Sequence, residues 1–189
     1  MNDDAALMAL AAKGDSRAFR TLVEKYQGQM YNFFLRSTGN PEDSEDLSQQ
    51  LFINLYRSAS RYRPEASFKT FIYRIASNLA ISFARKRARR ESVYSLDELA
   101  EGGREPQGSP EGEGPAAYSE QREFERAYLE ALMRLPADWR VAMELRVGKG
   151  LTYREIAEVM DKSVPAIESI IFRARERLAI DLKDFRENA

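Results

Sequence analysis

Between Glu91 and Glu125 the chain carries ten acids against only Arg104 and Arg122, a net charge of −8, and intersperses them with Gly102, Gly103, Gly108, Gly112, Gly114, Pro106, Pro110 and Pro115. Such a composition cannot bury enough apolar surface to offset the entropy of ordering it, so it reads as a linker. It splits 189 residues into two halves, each large enough for one modest core and no more. A net charge of −1 for the whole chain hides this division: the remainder holds 27 basic and 20 acidic residues, net +7. The positive charge is concentrated at Arg85-Lys86-Arg87-Ala88-Arg89-Arg90 and at Arg173, Arg175 and Arg177. Flanks of this sign suit a polyanionic partner.

Each half reads as helices. Asp15 opens a run in which Phe19, Leu22, Val23, Tyr26, Met30, Phe33 and Phe34 recur at helical spacing. Asn40-Pro41-Glu42-Asp43 supplies an N-cap, a proline at the first helical position and two acids in the first turn. The helix it starts turns Leu47, Leu51, Leu55 and Phe52 inward and leaves Asp43, Asp46, Gln49, Gln50 and Asn54 outside. Ser67 caps a third long helix with an apolar seam of Phe68, Phe71, Ile72, Ile75, Leu79 and Phe83. Beyond the linker, one helix from about Glu120 stops before Pro136. Another, from about Asp138, ends at Gly148, a residue suited to a left-handed cap. Thr152-Tyr153-Arg154-Glu155 is a capping box, and the short helix after it is followed by a long one from Val164. Ile156, Ala157, Met160, Val164, Ile167 and Ile171 meet across the turn, which is a helix-turn-helix pattern. No segment alternates with period two, so the fold class is all-α.

The chain has no Cys and no His. Disulfides, Cys/His zinc sites, thiol nucleophiles and His-based proton transfer are therefore excluded. Asp43 and Asp46 could hold magnesium, but no phosphate-cradling glycine loop accompanies them. We expect no catalytic residue, no metal and no cofactor. The apolar run Ala5 to Ala12 lies between Asp3, Asp4 and Asp15, lacks a basic leader and is too short to span a bilayer. A cytoplasmic protein is expected.

Three ordered blocks give this chain a family resemblance: Asp46 to Phe52, Ser67 to Ala80, and Leu151 to Ala157 continued by Phe172 to Leu178. In them it resembles the extracytoplasmic-function (group 4) sigma factors, the compact promoter-specificity subunits of bacterial RNA polymerase. The resemblance implies a sigma-2-like helical bundle over 1–90, an acidic linker over 91–122 and a sigma-4-like helix-turn-helix domain over 123–189. It implies that Asp43, Asp46, Gln49, Gln50 and Asn54 dock on the clamp helices of the largest polymerase subunit, with the flap of the second-largest subunit as a further partner. Asp46 and Gln49 share one helix face and can jointly receive basic side chains.

The second block resembles the family's reader of the downstream (−10) element, where single-stranded bases need rings and phosphates need cations. Tyr62, Phe68, Phe71 and Tyr73 would supply the rings, and Arg63, Lys69, Arg74, Arg85, Lys86 and Arg89 the charge. Asn78 would contact a base, and the loop Tyr62 to Ala66 would capture a flipped one. Helical spacing makes at least one of Phe68 and Phe71 a core residue. The third block resembles the family's reader of the upstream (−35) duplex, with Lys162, Ser163, Pro165, Ala166, Ser169, Phe172, Arg173 and Arg175 facing DNA. The resemblance also implies an anti-sigma factor as inhibitory partner and no direct membrane insertion.

This chain departs from the family at Gln50, Phe71, Ser82, Glu168 and Ile170. The last two stand where many relatives carry Lys or Arg, so upstream recognition is expected to be weaker or more shape-dependent. A flexible linker of 32 residues has a root-mean-square span of about 30 Å and reaches roughly 100 Å extended. Two promoter elements lie roughly 70 Å apart. Two other readings remain open: a sigma-like decoy that binds an anti-sigma factor without reading DNA, and a helix-turn-helix repressor.

Overall fold

A computed structural model describes residues 3–62, 67–97 and 116–183. Among them every regular element is helical, as the periodicity predicts. α1 (Asp3–Ala12), α2 (Ser16–Thr38), α3 (Pro41–Ser58) and α4 (Phe68–Asp97) form an N-terminal bundle, with a single tight turn at Ala59–Arg61 before α4. α5 (Ala116–Arg134), α6 (Ala137–Met143), α7 (Tyr153–Met160) and α8 (Val164–Asp181) form the C-terminal one. No described helix is long and apolar enough to cross a membrane.

Local chemistry sets most helix ends. The Asp15 carboxylate accepts from the amides of Arg17 and Ala18 and starts α2. Asn40 accepts from the Asp43 amide at 3.1 Å, with Pro41 at the first position of α3. Ser67 accepts from the Thr70 amide at 3.1 Å and caps α4. α7 begins in a reciprocal capping box, with the Glu155 amide donating to Thr152 while the Thr152 amide donates back to the Glu155 carboxylate at 2.7 Å. α7 ends at Asp161, which takes φ 53 and turns the chain into α8. A short polar side chain tolerates that left-handed conformation where a branched one would not.

The buried positions follow the helical period. Leu47, Leu51 and Leu55 of α3 pack beneath Leu22, Met30, Phe33 and Phe34 of α2, and Phe68, Ile72, Tyr73, Ala76 and Ala80 of α4 close the N-terminal core. Leu132, Val141, Leu145, Leu151, Ile156, Ile167 and Ile171 build the C-terminal core. α1, which the short apolar run did not by itself define as a helix, lies across α2 with Met8 buried. It is strapped down by Asp4, whose carboxylate accepts from the Tyr26 hydroxyl at 2.8 Å and pairs with Lys25.

Two expectations change. The helix read as ending at Gly148 is regular only to Met143 and then widens over Glu144–Gly148, with the Lys149 amide reaching back to the Glu144 carbonyl at 3.0 Å. The left-handed glycine is Gly150 (φ 67), two residues later. At Gly148, which has no left-handed φ, a Cβ would meet the Glu144 carboxylate, so a side chain there would have to displace it. Helical backbone also enters the segment expected as linker from both sides, because α4 runs to Asp97 and α5 starts at Ala116. The rest of that segment, 98–115, lies outside the described residues.

Candidate nucleic-acid interface

The polar face of α3 is the first candidate surface. Asp46, Gln49 and Gln50 are exposed and line one groove with Asp43, Leu47, Ile53 and Phe83. Gln50 donates to Asn54 at 2.9 Å, and Arg87 of α4 approaches the Asp43 carboxylate at 3.9 Å. All five residues expected on this face are therefore brought together. The groove also has an apolar side that the sequence reading missed: Ile53 and, further along, Tyr56 are exposed large side chains. Their signal was available, because both fall off the Leu47, Leu51, Leu55 seam.

On α4 the expected DNA-reading residues separate into two groups. Phe68 and Tyr73 are both 0% exposed, so these two expectations are corrected: they are core residues. Phe68 meets the Tyr26 ring edge-on at 5.2 Å, and Tyr73 meets Phe33 at 5.6 Å. Phe68 lies on the stripe that continues through Ile72, Ala76 and Ala80, and Tyr73, at the edge of that stripe, is taken into the core by α2 and its Phe33. Burial, with a contribution from the nearby Glu144 carboxylate, pushes the Tyr73 phenol up to about 12. Phe71 is half-buried and carries Tyr62 on its ring at 5.1 Å, which leaves this pair at the edge of the core. Asn78, Arg85, Lys86 and Arg89 are exposed. Arg63 lies outside the described residues, as does the rest of the 63–66 loop.

Lys69 and Arg74 are exposed yet occupied. The Arg74 guanidinium donates through Nε at 3.2 Å and through Nη2 to the Glu158 carbonyl, near the end of α7. The Lys69 ammonium donates to the Lys149 carbonyl at 3.4 Å.

The third surface is α8. Ser163 accepts from the Ala166 amide and caps the helix, with Pro165 in its first turn. Ile167, Ile171, Ala174 and Leu178 are buried, so the opposite stripe is turned out. Ser169, Phe172 and Arg173 lie on that stripe, and Lys162, Ser163, Pro165 and Arg175 are exposed beside it, with Ala166 half-buried. Phe172 is 62% exposed. Glu168 is exposed near the same stripe, whereas Ile170 is half-buried and packs against the core. Ile170 thus contributes to packing.

The Sigma-70 region 2 family model matches residues 22–90, and the Sigma-70, region 4 model matches 125–178. These two matches coincide with the N-terminal bundle and the helix-turn-helix domain, which defines a two-domain sigma-70 protein. The RNA polymerase sigma-H factor of Pseudomonas aeruginosa is 35% identical over 179 residues, 93% of this chain and 91% of that protein. The ECF RNA polymerase sigma-E factor of Escherichia coli K12 is 35% identical over 181 residues, 95% of this chain and 93% of that protein. Among solved structures, CnrH in complex with the cytosolic domain of CnrY superposes with a TM-score of 0.66 at 26% identity, covering 97% of this chain and 99% of that one. The sigma factor RpoE from Bartonella quintana, solved with the anti-sigma factor NepR, shares the fold at TM-score 0.66 and 22% identity, covering 87% of this chain and 96% of that one. The chain belongs to the extracytoplasmic-function sigma factors of the sigma-70 family.

Proposed function

We propose that this chain binds the RNA polymerase core in the cytoplasm and brings it to promoters, with one task for each of the three surfaces and no chemistry of its own. The α3 groove docks on the polymerase. Asp46 and Gln49, supported by Asp43, Gln50 and Asn54, receive basic side chains, and Ile53 adds an apolar anchor. The exposed part of α4 reads the −10 strand through Asn78, the Tyr62–Phe71 edge and the cations Arg63, Lys69, Arg74, Arg85, Lys86 and Arg89. α8 reads the −35 duplex, with Ser169, Phe172 and Arg173 toward base edges and Lys162, Ser163, Pro165, Ala166 and Arg175 around them. The N-terminal bundle thus docks and opens DNA, and the C-terminal one holds duplex. An inhibitory protein partner belongs to the same reading, supported by the solved complex of CnrH with CnrY.

One observation carries the reading. Phe172 is 62% exposed, beside Ser169 and Arg173 on the outer stripe of the second helix of a capped helix-turn-helix. Covering the rest of the ring yields at most about 1–2 kcal/mol, and a thymine methyl in the major groove is a suitable cover. The test is transcription reconstituted with core polymerase on promoter fragments. Promoter-dependent initiation that falls on Phe172→Ala, and core association that falls on combined Asp46→Ala and Gln49→Ala, support the proposal. Failure of the purified chain to associate with core polymerase overturns it, and association without initiation replaces it by the decoy reading.

A further inference from the structure

The inward stripe of α4, Phe68, Ile72, Ala76 and Ala80, continues at the same four-residue spacing through Ala84 and Ala88. From Ala76 onward it carries only methyl groups. Beside Ala84 and Ala88 they leave room for a half-open cavity of about 490 Å³, which also takes in the end of α2 and the turn from α5 into α6. A volume of this size is in the range of small-molecule sites, which are mostly apolar with a few placed polar groups. Phe83, Met133, Leu135 and Pro136 supply the apolar wall, and Arg85, Arg87 and Arg140 line the cavity from two helices. Among the described residues no carboxylate lines it.

Arg140 sits half-buried in α6. Its Nη1 donates to the Met133 carbonyl at 3.4 Å and to the Met133 sulfur at 2.8 Å, while Nε and Nη2 have no partner among the described residues. Burial, and then the charge of Arg87, hold the guanidinium below the ordinary arginine pKa. Two like charges are thus brought together where water is partly excluded. Asp43 approaches Arg87 at 3.9 Å, the outer limit of an ion pair, and does not line the cavity. An anion placed among the three arginines turns their mutual repulsion into attraction. A guanidinium fork matches phosphate oxygens, and a multiply charged diphosphate satisfies several forks at once where a carboxylate brings one charge.

We propose that this cavity binds a small organic diphosphate, with the diphosphate held by Arg140, Arg87 and Arg85 and the organic body laid against Phe83 and Met133. The site stands on the geometry of α4 and α6 and does not depend on the roles proposed above for polymerase docking and promoter reading.

Calorimetric titration of the full chain with ADP, at fixed ionic strength and without polymerase or DNA, tests the site. We expect one ADP per chain with a Kd below about 1 mM. AMP, with one phosphate fewer, should bind about fivefold more weakly. Inorganic pyrophosphate should also bind more weakly, for want of the apolar contact; pyrophosphate binding as tightly as ADP overturns the organic diphosphate as ligand. Arg140→Gln should weaken ADP about tenfold or more, the loss of a charge-assisted pair.

Arg140 also ties α6 to α5, so a second variant leaves it in place. Ala88→Glu, at an exposed position on α4, sets a carboxylate at the cavity and should weaken ADP by about as much. Arg20→Gln removes the same charge as Arg140→Gln from an exposed site on α2, roughly 25 Å along that helix from Thr38, and should change the Kd by less than about twofold. No binding of ADP overturns the proposal. So does an equal loss with Arg20→Gln, which leaves only diffuse attraction to a cationic surface. A labelled single strand of DNA is the remaining arm: if ADP does not bind while strand binding falls with both Arg140→Gln and Ala88→Glu, the cavity takes backbone phosphates and the proposal is overturned.

Discussion

Replacing Tyr73 with Phe removes a hydroxyl that is buried and unpaired while keeping a ring that is 0% exposed. The edge-on contact with Phe33 at 5.6 Å survives the change. Leaving a buried hydroxyl without a partner costs about 1–3 kcal/mol. The low polarity behind that cost is the same burial that pushes the phenol up to about 12. Some of the penalty is shared with the nearby Glu144 carboxylate, so the lower end of the range applies. Tyr73→Phe should then stabilise the protein by about 1 kcal/mol, a rise in Tm of about 2–4 °C for a chain of this length. Calorimetry and urea unfolding of the full chain measure it, with Tyr73→Ala, expected to lose about 3–5 kcal/mol, as the packing control. Most substitutions destabilise, so a gain discriminates sharply. A lowered Tm for Tyr73→Phe would refute the reasoning, because the hydroxyl would then have a partner in solution.

Thr152→Ala should cost about 1 kcal/mol by removing the N-cap of α7, read by urea unfolding. Hydrogen bonds from the Thr152 amide and then its hydroxyl hold the Glu155 carboxyl below its ordinary value of 4.5. A depressed carboxylate contributes stability above its unfolded pKa and loses it as pH falls through the folded one. The penalty of Glu155→Gln should therefore be present at neutral pH and vanish in unfolding curves measured well below 4.5. Arg173→Ala should weaken duplex binding by about 1–3 kcal/mol if it meets a base edge, or lower the salt slope by about 1 if it meets phosphate; unchanged binding in a salt titration removes it from the interface.

What sequence reasoning resolved here is what neighbouring residues decide among themselves. Asn40 before Pro41, Ser67 before α4 and the Thr152/Glu155 box each act within one turn, and each stands as expected. The inward leucines of α3 followed from period alone. Tyr73 did not, because an aromatic between a buried Ile72 and an exposed Arg74 sits at the edge of the stripe, and only the position of α2 and its Phe33 decides its side. The widening at Glu144–Gly148 was illegible for a similar reason. It shelters a carboxylate whose partner Arg36 lies 108 residues earlier. The candidate surfaces were legible to the same degree: α3 and α8 are set by their own amphipathic faces, whereas the fate of Lys69 and Arg74 depends on helices beyond the linker.

The caps that α4 lends to the other bundle have a thermodynamic corollary. One guanidinium cannot hold a phosphate and the Glu158 carbonyl at once, so a strand that captures Arg74 leaves α7, the first helix of the helix-turn-helix, with a bare end. Linkage makes the relation mutual: whatever firms up α7 on duplex tightens the hold on Arg74, and whatever takes Arg74 loosens the duplex reader by an equal free energy. On the proposed roles of α4 and α8, the two grips oppose one another for as long as Arg74 stays on the Glu158 carbonyl.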